Sequence, residues 1–295
     1  MRTASLHNDH GLFALLELDN NLQLAESLGL DLSLMDNLQA LQELHRRLST
    51  LLPEATGLVV DPIYSFHLLA HAALKNGRQQ GVALRLEQDK PQLPTELPAL
   101  FPNFSLEEIK NNYALVKLAL TYHPQEAQAL GKKQLLAEIR EYSRSLGIDF
   151  LLKLQISPLL DDEKKPEAAA KPAESAQLDA VVELRGLADI LVLEAPSEPL
   201  AVATISSELD IPWLVMAQVD DTYDVFKERF RMAMENGASG YCIGQLLWQD
   251  LANLRGEDRS LNMTAIDKYI GTTLRDRLIE LNRIASEGMD ARSIE

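Results

Sequence analysis

Ala188-Asp189-Ile190-Leu191-Val192-Leu193-Glu194 is a short run, apolar almost throughout, followed at once by Ala195-Pro196. A continuously apolar run of this length reads as a strand buried on both faces. Downstream, residues 199–209 carry apolar side chains at three- and four-residue intervals, and residues 212–218 form a second apolar run. Residues 223–235 return to helical spacing and 238–243 to a third run. Working toward the N-terminus, the same kind of run recurs at 11–18, 57–61, 81–86, 114–120 and 149–156, with helically spaced segments such as 63–74 and 125–146 between them. Short buried strands alternating with helices call for a parallel sheet. Eight such units in 295 residues point to a closed (β/α)8 TIM barrel, for which about 250 residues is typical. An open doubly wound sheet would carry a glycine-rich phosphate turn after its first strand, and Leu18-Asp19-Asn20-Asn21 has no glycine.

The expected organisation is a single barrel domain over residues 1–295. Two segments stand outside the alternation. Residues 161–177, beginning Asp161-Asp162-Glu163-Lys164-Lys165-Pro166, are charged and low in complexity and are expected to form a mobile loop after strand five. Residues 262–288 are expected to form an additional C-terminal helix that packs on the barrel or on a second subunit, as in a homo-oligomer.

With 44 Asp and Glu against 28 Lys and Arg, the formal net charge is -16. No basic block is present, so nucleic acid and anionic membrane surfaces are excluded as partners on electrostatic grounds. No apolar run approaches the roughly 20 residues of a membrane span, and the N-terminal residues carry no apolar signal segment. The single Cys242 has no disulfide partner within the chain. A cytoplasmic protein is the expectation.

Catalytic groups of a barrel lie at the C-terminal ends of its strands. Asp19 ends strand one, Asp61 ends strand two and Glu194 lies near the end of strand six. Lys117 sits inside strand four and Lys153 inside strand five, each flanked by apolar residues. A lysine in such a setting is costly to bury unpaired. Desolvated, or beside another cation, it would be an amine nucleophile for a carbonyl substrate; bonded to Asp or Glu, it would be structural. Gly244 and Gln245 close strand eight where barrels commonly hold phosphate, although a tight turn alone would also ask for glycine there. His67 and His71 have i, i+4 spacing but no accompanying carboxylate motif, and with His45 and His123 they read as ordinary core or surface residues, so neither metal nor cofactor is expected.

Several stretches carry a resemblance to a known family. They are Ala188-Asp189-Ile190-Leu191-Val192-Leu193-Glu194-Ala195-Pro196, Ile211-Pro212-Trp213-Leu214-Val215-Met216 and Met232-Ala233-Met234-Glu235-Asn236-Gly237-Ala238-Ser239-Gly240-Tyr241, with weaker matches at Leu115-Val116-Lys117-Leu118, Val59-Val60-Asp61-Pro62 and Leu16-Glu17-Leu18-Asp19. Across most of residues 11–250 the chain resembles class I aldolases of the tagatose-bisphosphate and sulfofructose-phosphate aldolase type. That resemblance implies a (β/α)8 barrel that cleaves phosphorylated ketoses through a lysine Schiff base. It also implies a Lys-Val-Glu motif on strand six, where this chain has Val192-Leu193-Glu194. The family's strand-five glutamate falls on Lys153, its serine-glycine turn after strand seven on Ala217-Gln218-Val219, and its phosphate-holding arginine on Gln245. The acid of strand one and the lysine of strand four are kept as Asp19 and Lys117.

Three readings follow. In the first, the barrel has lost Schiff-base chemistry, because valine forms no imine, and binds a small anionic, sugar-phosphate-like metabolite through Asp61, Gly244, Gln245 and Gln218 in a mouth made basic by Lys117 and Lys153. In the second, Lys117 or Lys153 has taken over the amine role, assisted by Asp19. In the third, the barrel is a non-catalytic scaffold or regulatory subunit.

Overall fold

Eight parallel strands close on themselves in sequence order. They are β1 (Phe13–Leu18), β2 (Gly57–Val60), β3 (Gly81–Arg85), β4 (Leu115–Tyr122), β5 (Phe150–Ile156), β6 (Ile190–Glu194), β7 (Trp213–Met216) and β8 (Gly240–Ile243). This computed structural model describes residues 5–69, 81–90, 96–157, 166–256 and 260–292. The barrel closes where β1 pairs with β8, Phe13 opposite Gly240 and Leu16 opposite Ile243. Gly240 has φ 145°, and a Cβ there would lie 1.9 Å from the Phe13 carbonyl oxygen, so only glycine lets the two strands meet. All eight strands expected from the sequence are present, and the architecture is a (β/α)8 barrel.

Side chains alternate across each strand, which divides the core in two. Leu15, Val59, Ala83, Leu115, Leu151, Val192 and Leu214 fill the barrel interior. Ala14, Leu16, Val60, Leu84, Val116, Leu152 and Leu193 face outward into the layer shared with the helices. Buried on both faces, the strands need apolar residues at both parities, which is why they read as continuous runs. The floor of the barrel is plugged by Leu6, which is fully buried. Cβ atoms at Gly57 and Gly81 would lie 2.6 and 2.7 Å from the Leu6 methyl Cδ2, so these strand-opening glycines leave the room it occupies. The opposite end stays open.

The helix expected over 223–235 is observed as Tyr223–Glu235, capped by the Thr222 side chain on the Val225 N–H. The helix expected over 125–146 is Ala129–Leu146, ended by Gly147 in the left-handed conformation. The segment expected as a loop over 161–177 is helical from Pro166, in the helix Pro166–Leu184. Residues 161–165 lie outside the described ones.

The C-terminal region comprises Met263–Tyr269, a π-helical turn Ile270–Leu274 and the helix Arg275–Arg292. It is part of the barrel wall. Leu278, Leu281, Ile284 and Ala285 are buried in the common core. The Tyr241 hydroxyl of β8 donates to Asn282 Oδ1 at 2.9 Å, and Asn282 Nδ2 donates to the Glu54 carbonyl just before β2 at 2.7 Å. The helix therefore closes the gap between the helix Tyr223–Glu235 and the chain entering β2. No helix among the described residues is long and apolar enough to cross a membrane.

Candidate functional site

At the C-terminal end of the barrel the interior positions turn from apolar to charged. Lys117, 1% exposed, points inward from β4. Its Nζ donates to Asp19 Oδ2 at 2.7 Å and to Glu87 Oε1 at 2.8 Å. Arg85 joins them: Nε lies 2.9 Å from Glu87 Oε1 as an ion pair without hydrogen-bond geometry, and Nη1 donates to the Asp19 carbonyl at 2.8 Å. Lys153, on β5, is the half-open member, 19% exposed, and its Nζ is held by both oxygens of Glu17 at 2.5 and 2.7 Å.

The charge states follow from this packing. Burial alone would lower the Lys117 ammonium, but Asp19 and Glu87 outweigh burial and hold it above its ordinary value. Burial alone would raise Asp19; Lys117, Arg85 and Lys153 reverse that and hold its carboxyl below the usual range. Lys117 is thus a fixed ammonium, locked between two carboxylates and closed to solvent, which makes it unsuited to nucleophilic attack.

A cavity of about 260 Å3 opens above this layer. Lys153, Gln218, Gly244 and Gln245 line it, together with Glu17, Gln155, Glu194, Asp221 and Cys242. Lys117 and Asp19 do not reach it; they are buried beneath its wall. Asp61 is elsewhere. Its Oδ1 accepts the Ile63 and Tyr64 N–H groups at 2.7 Å each, Ser65 donates to Oδ2 at 3.0 Å, and Asn21 Nδ2 also donates to it. Burial nevertheless leaves the Asp61 carboxyl above its ordinary value, and it borders a separate cavity of about 160 Å3. The two lysines therefore do not share one open pocket.

Nor is the mouth basic. Lys117, Arg85 and Lys153 are matched by Asp19, Glu87 and Glu17 in direct contact. On the cavity wall itself, Glu17, Glu194 and Asp221 face Lys153. Asp221 is neutralised by Arg229 at 2.9 Å, and its Oδ2 accepts the Gln218 N–H at 2.9 Å. Glu194 forms no ion pair among the described residues; burial first, then the field of Asp221, push its carboxyl up despite Lys153 and Arg229. Gly244 is explained by packing, since a Cβ there would lie 2.7 Å from the Glu17 carbonyl oxygen and 2.9 Å from the Trp248 ring. The helix after it, Gln245–Trp248, is too short to add a useful dipole.

Glu17, Arg85, Glu87 and Asp221 were not singled out by sequence reasoning. A signal for two of them exists. Glu17 and Glu87 lie two residues from Asp19 and Arg85, at the parity that faces the barrel interior. Of the histidines, His45 is fully buried, His67 is exposed, His123 accepts the Gln125 N–H, and His71 lies outside the described residues.

The geometry has counterparts among solved structures. A structure described as the Schiff base forming fructose-1,6-bisphosphate aldolase aligns at TM-score 0.60 and 14% identity, covering 92% of this chain and 98% of that one. An archaeal fructose 1,6-bisphosphate aldolase aligns at TM-score 0.56 and 15% identity over 93% and 98%. A fructose-bisphosphate aldolase from Slackia heliotrinireducens aligns at TM-score 0.60 and 13% identity over 96% and 95%. No protein-family model and no curated protein sequence matches the chain. At these identities the likeness establishes the fold: the chain is a (β/α)8 barrel of the shape seen in fructose-bisphosphate aldolases.

Proposed function

We propose that this chain is an aldolase-like barrel that has given up imine formation and holds a small polar metabolite non-covalently in the barrel mouth. The observation that carries this reading is the pairing of the amines. Val192, where the resembling family has its Schiff-base lysine, is 0% exposed in the apolar barrel interior. Among the described residues the one amine on the cavity wall, Lys153, has both oxygens of Glu17 on its ammonium. An amine held by both oxygens of a carboxylate must leave that ion pair before it can attack a carbonyl.

A sugar-like ligand is supported by the wall chemistry. Asn20, Gln23, Gln155, Gln218, Gln245 and Gln249 surround the cavity, and an amide both donates and accepts, as a row of hydroxyls requires. The barrels of similar shape are named for action on fructose 1,6-bisphosphate, which agrees with a sugar skeleton. Gln245 and the carboxylates of the wall argue against the phosphate arm, because no arginine lines the cavity among the described residues. Calorimetric titration of the full chain with unphosphorylated and phosphorylated sugars tests this. Binding that weakens at least about tenfold in Gln155→Ala and Gln245→Ala supports it; no binding of either class overturns it.

One observation favours a second reading. Lys153 is the register partner of Val192, so an amine stands one strand away from the family position and reaches the same cavity. In that reading Lys153 forms the imine and Glu17 takes its proton. Reductive trapping separates the two.

A further inference from the structure

The charges on the cavity wall are unequal in a specific way. Glu17 is satisfied by Lys153, and Asp221 by Arg229 and the Gln218 backbone, but Glu194 has no ion-pair partner among the described residues. It is held in place from behind, where the Gln177 side chain donates to the Glu194 carbonyl at 2.8 Å, and its carboxylate lines the cavity among amides. A half-buried carboxylate on a cavity wall gains a charge-assisted hydrogen bond when a cation arrives from solvent. Among the described residues, the cations whose field reaches it, Lys153 and Arg229, are already engaged by Glu17 and Asp221. A cationic group on a ligand would complete the pairing.

Resting on the reading that the mouth binds a small polar metabolite, we propose that this metabolite is cationic, a primary ammonium on a hydroxylated skeleton, with the ammonium on Glu194 and the hydroxyls on Gln155, Gln218 and Gln245. A phosphate placed in the same cavity would face Glu17, Glu194 and Asp221. A neutral polyol would leave Glu194 unpaired. An amino-polyol satisfies both the acid and the amides, and no bond is made or broken in its binding.

Matched probes test the charge separately from the skeleton. The full chain is titrated calorimetrically with glucosamine against glucose, with serinol against glycerol, and with glucose 6-phosphate; Glu194→Gln, which keeps the side-chain shape, is titrated alongside. The expected result is that in at least one pair the amine binds about tenfold or more tighter than its neutral partner, the value of a charge-assisted hydrogen bond. Glu194→Gln should erase that difference. Equal binding of amine and neutral partner in the parent, or an undiminished preference in Glu194→Gln, overturns the proposal and leaves non-covalent binding in the mouth standing. Preference for glucose 6-phosphate also overturns it. Failure of all five probes to bind the parent overturns it together with the reading on which it rests.

Discussion

Lys153 and Val192 face each other as register partners on the adjacent parallel strands β5 and β6, one an amine held by Glu17 and the other an apolar side chain sealed in the barrel. The amine and the position onto which the sequence resemblance would place a family nucleophile are thus separated by one strand spacing, about 4.8 Å. That neighbourhood makes Lys153 the residue on which the question of catalysis turns. Lys117 is removed from that question by its burial and its two carboxylate partners.

Replacing Lys117 tests its structural role. Lys117→Met leaves Asp19 and Glu87 buried without the ammonium that bridges them, Arg85 remaining in contact with Glu87. Removing one partner from such a cluster costs about 3–5 kcal/mol. The urea midpoint should fall correspondingly; a midpoint within error of the parent would mean that the cluster is solvated in solution.

Glu17 holds the Lys153 amine with both of its carboxylate oxygens. In Glu17→Gln the ammonium loses both carboxylate oxygens, one of which is 2.5 Å away, and keeps at most one neutral acceptor. Acylation of Lys153 by a small amine-reactive ester, followed by peptide mass spectrometry, should be several-fold faster in Glu17→Gln than in the parent. Equal rates would show that the pair does not shield the amine.

His45 sets a pH dependence of stability. Its ring is fully buried, both nitrogens lack partners among the described residues, and burial lowers its pKa from 6.5 to about 4. Between those values the unfolded chain binds a proton that the folded one refuses, so stability is full above pH 6.5 and falls as pH drops toward 4. The loss at this one site reaches about 3 kcal/mol. His45→Leu should unfold with a shallower loss of stability over that range; parallel profiles for the two proteins would contradict the assignment.

The C-terminal helix is an integral wall. Deleting residues 275–292 exposes Tyr241 and the core around Leu278, Leu281 and Ile284. The truncated chain should lose cooperative unfolding as followed by circular dichroism, and a sharp transition at the parent midpoint would contradict this. The same contacts change what the sequence expectation meant: the helix is the last element of the barrel, and its removal does not test oligomerisation by itself.

The barrel was legible because its strands announce themselves locally. Residues 188–194 or 114–120 are apolar at both parities, and that pattern has one economical solution, a parallel strand between two apolar layers. Lys117 and Lys153 were legible for the same reason, as exceptions inside such runs. Their partners were not, because Asp19 lies 98 residues from Lys117 and Glu17 lies 136 residues from Lys153. Only closure of β1 onto β8 and the shear of the barrel bring them together, and one sequence does not carry that register. Counting only the lysines made the mouth look basic; counting Glu17, Glu87 and Glu194 as inward residues makes it balanced to acidic. The helical start at Pro166 was hidden by a charged, alanine-rich composition that reads as unstructured even though alanine is a strong helix former.

The central claim is that no lysine of the mouth forms an imine. The direct measurement is borohydride reduction of the full chain in the presence of dihydroxyacetone phosphate and of fructose 1,6-bisphosphate, with intact-mass and peptide mass spectrometry. The account predicts an unmodified chain, with Lys117 and Lys153 recovered as free amines. A reduced adduct mapped to Lys153, abolished by Lys153→Met, would contradict it and establish the barrel as a Schiff-base enzyme whose nucleophile stands one strand away from the family position.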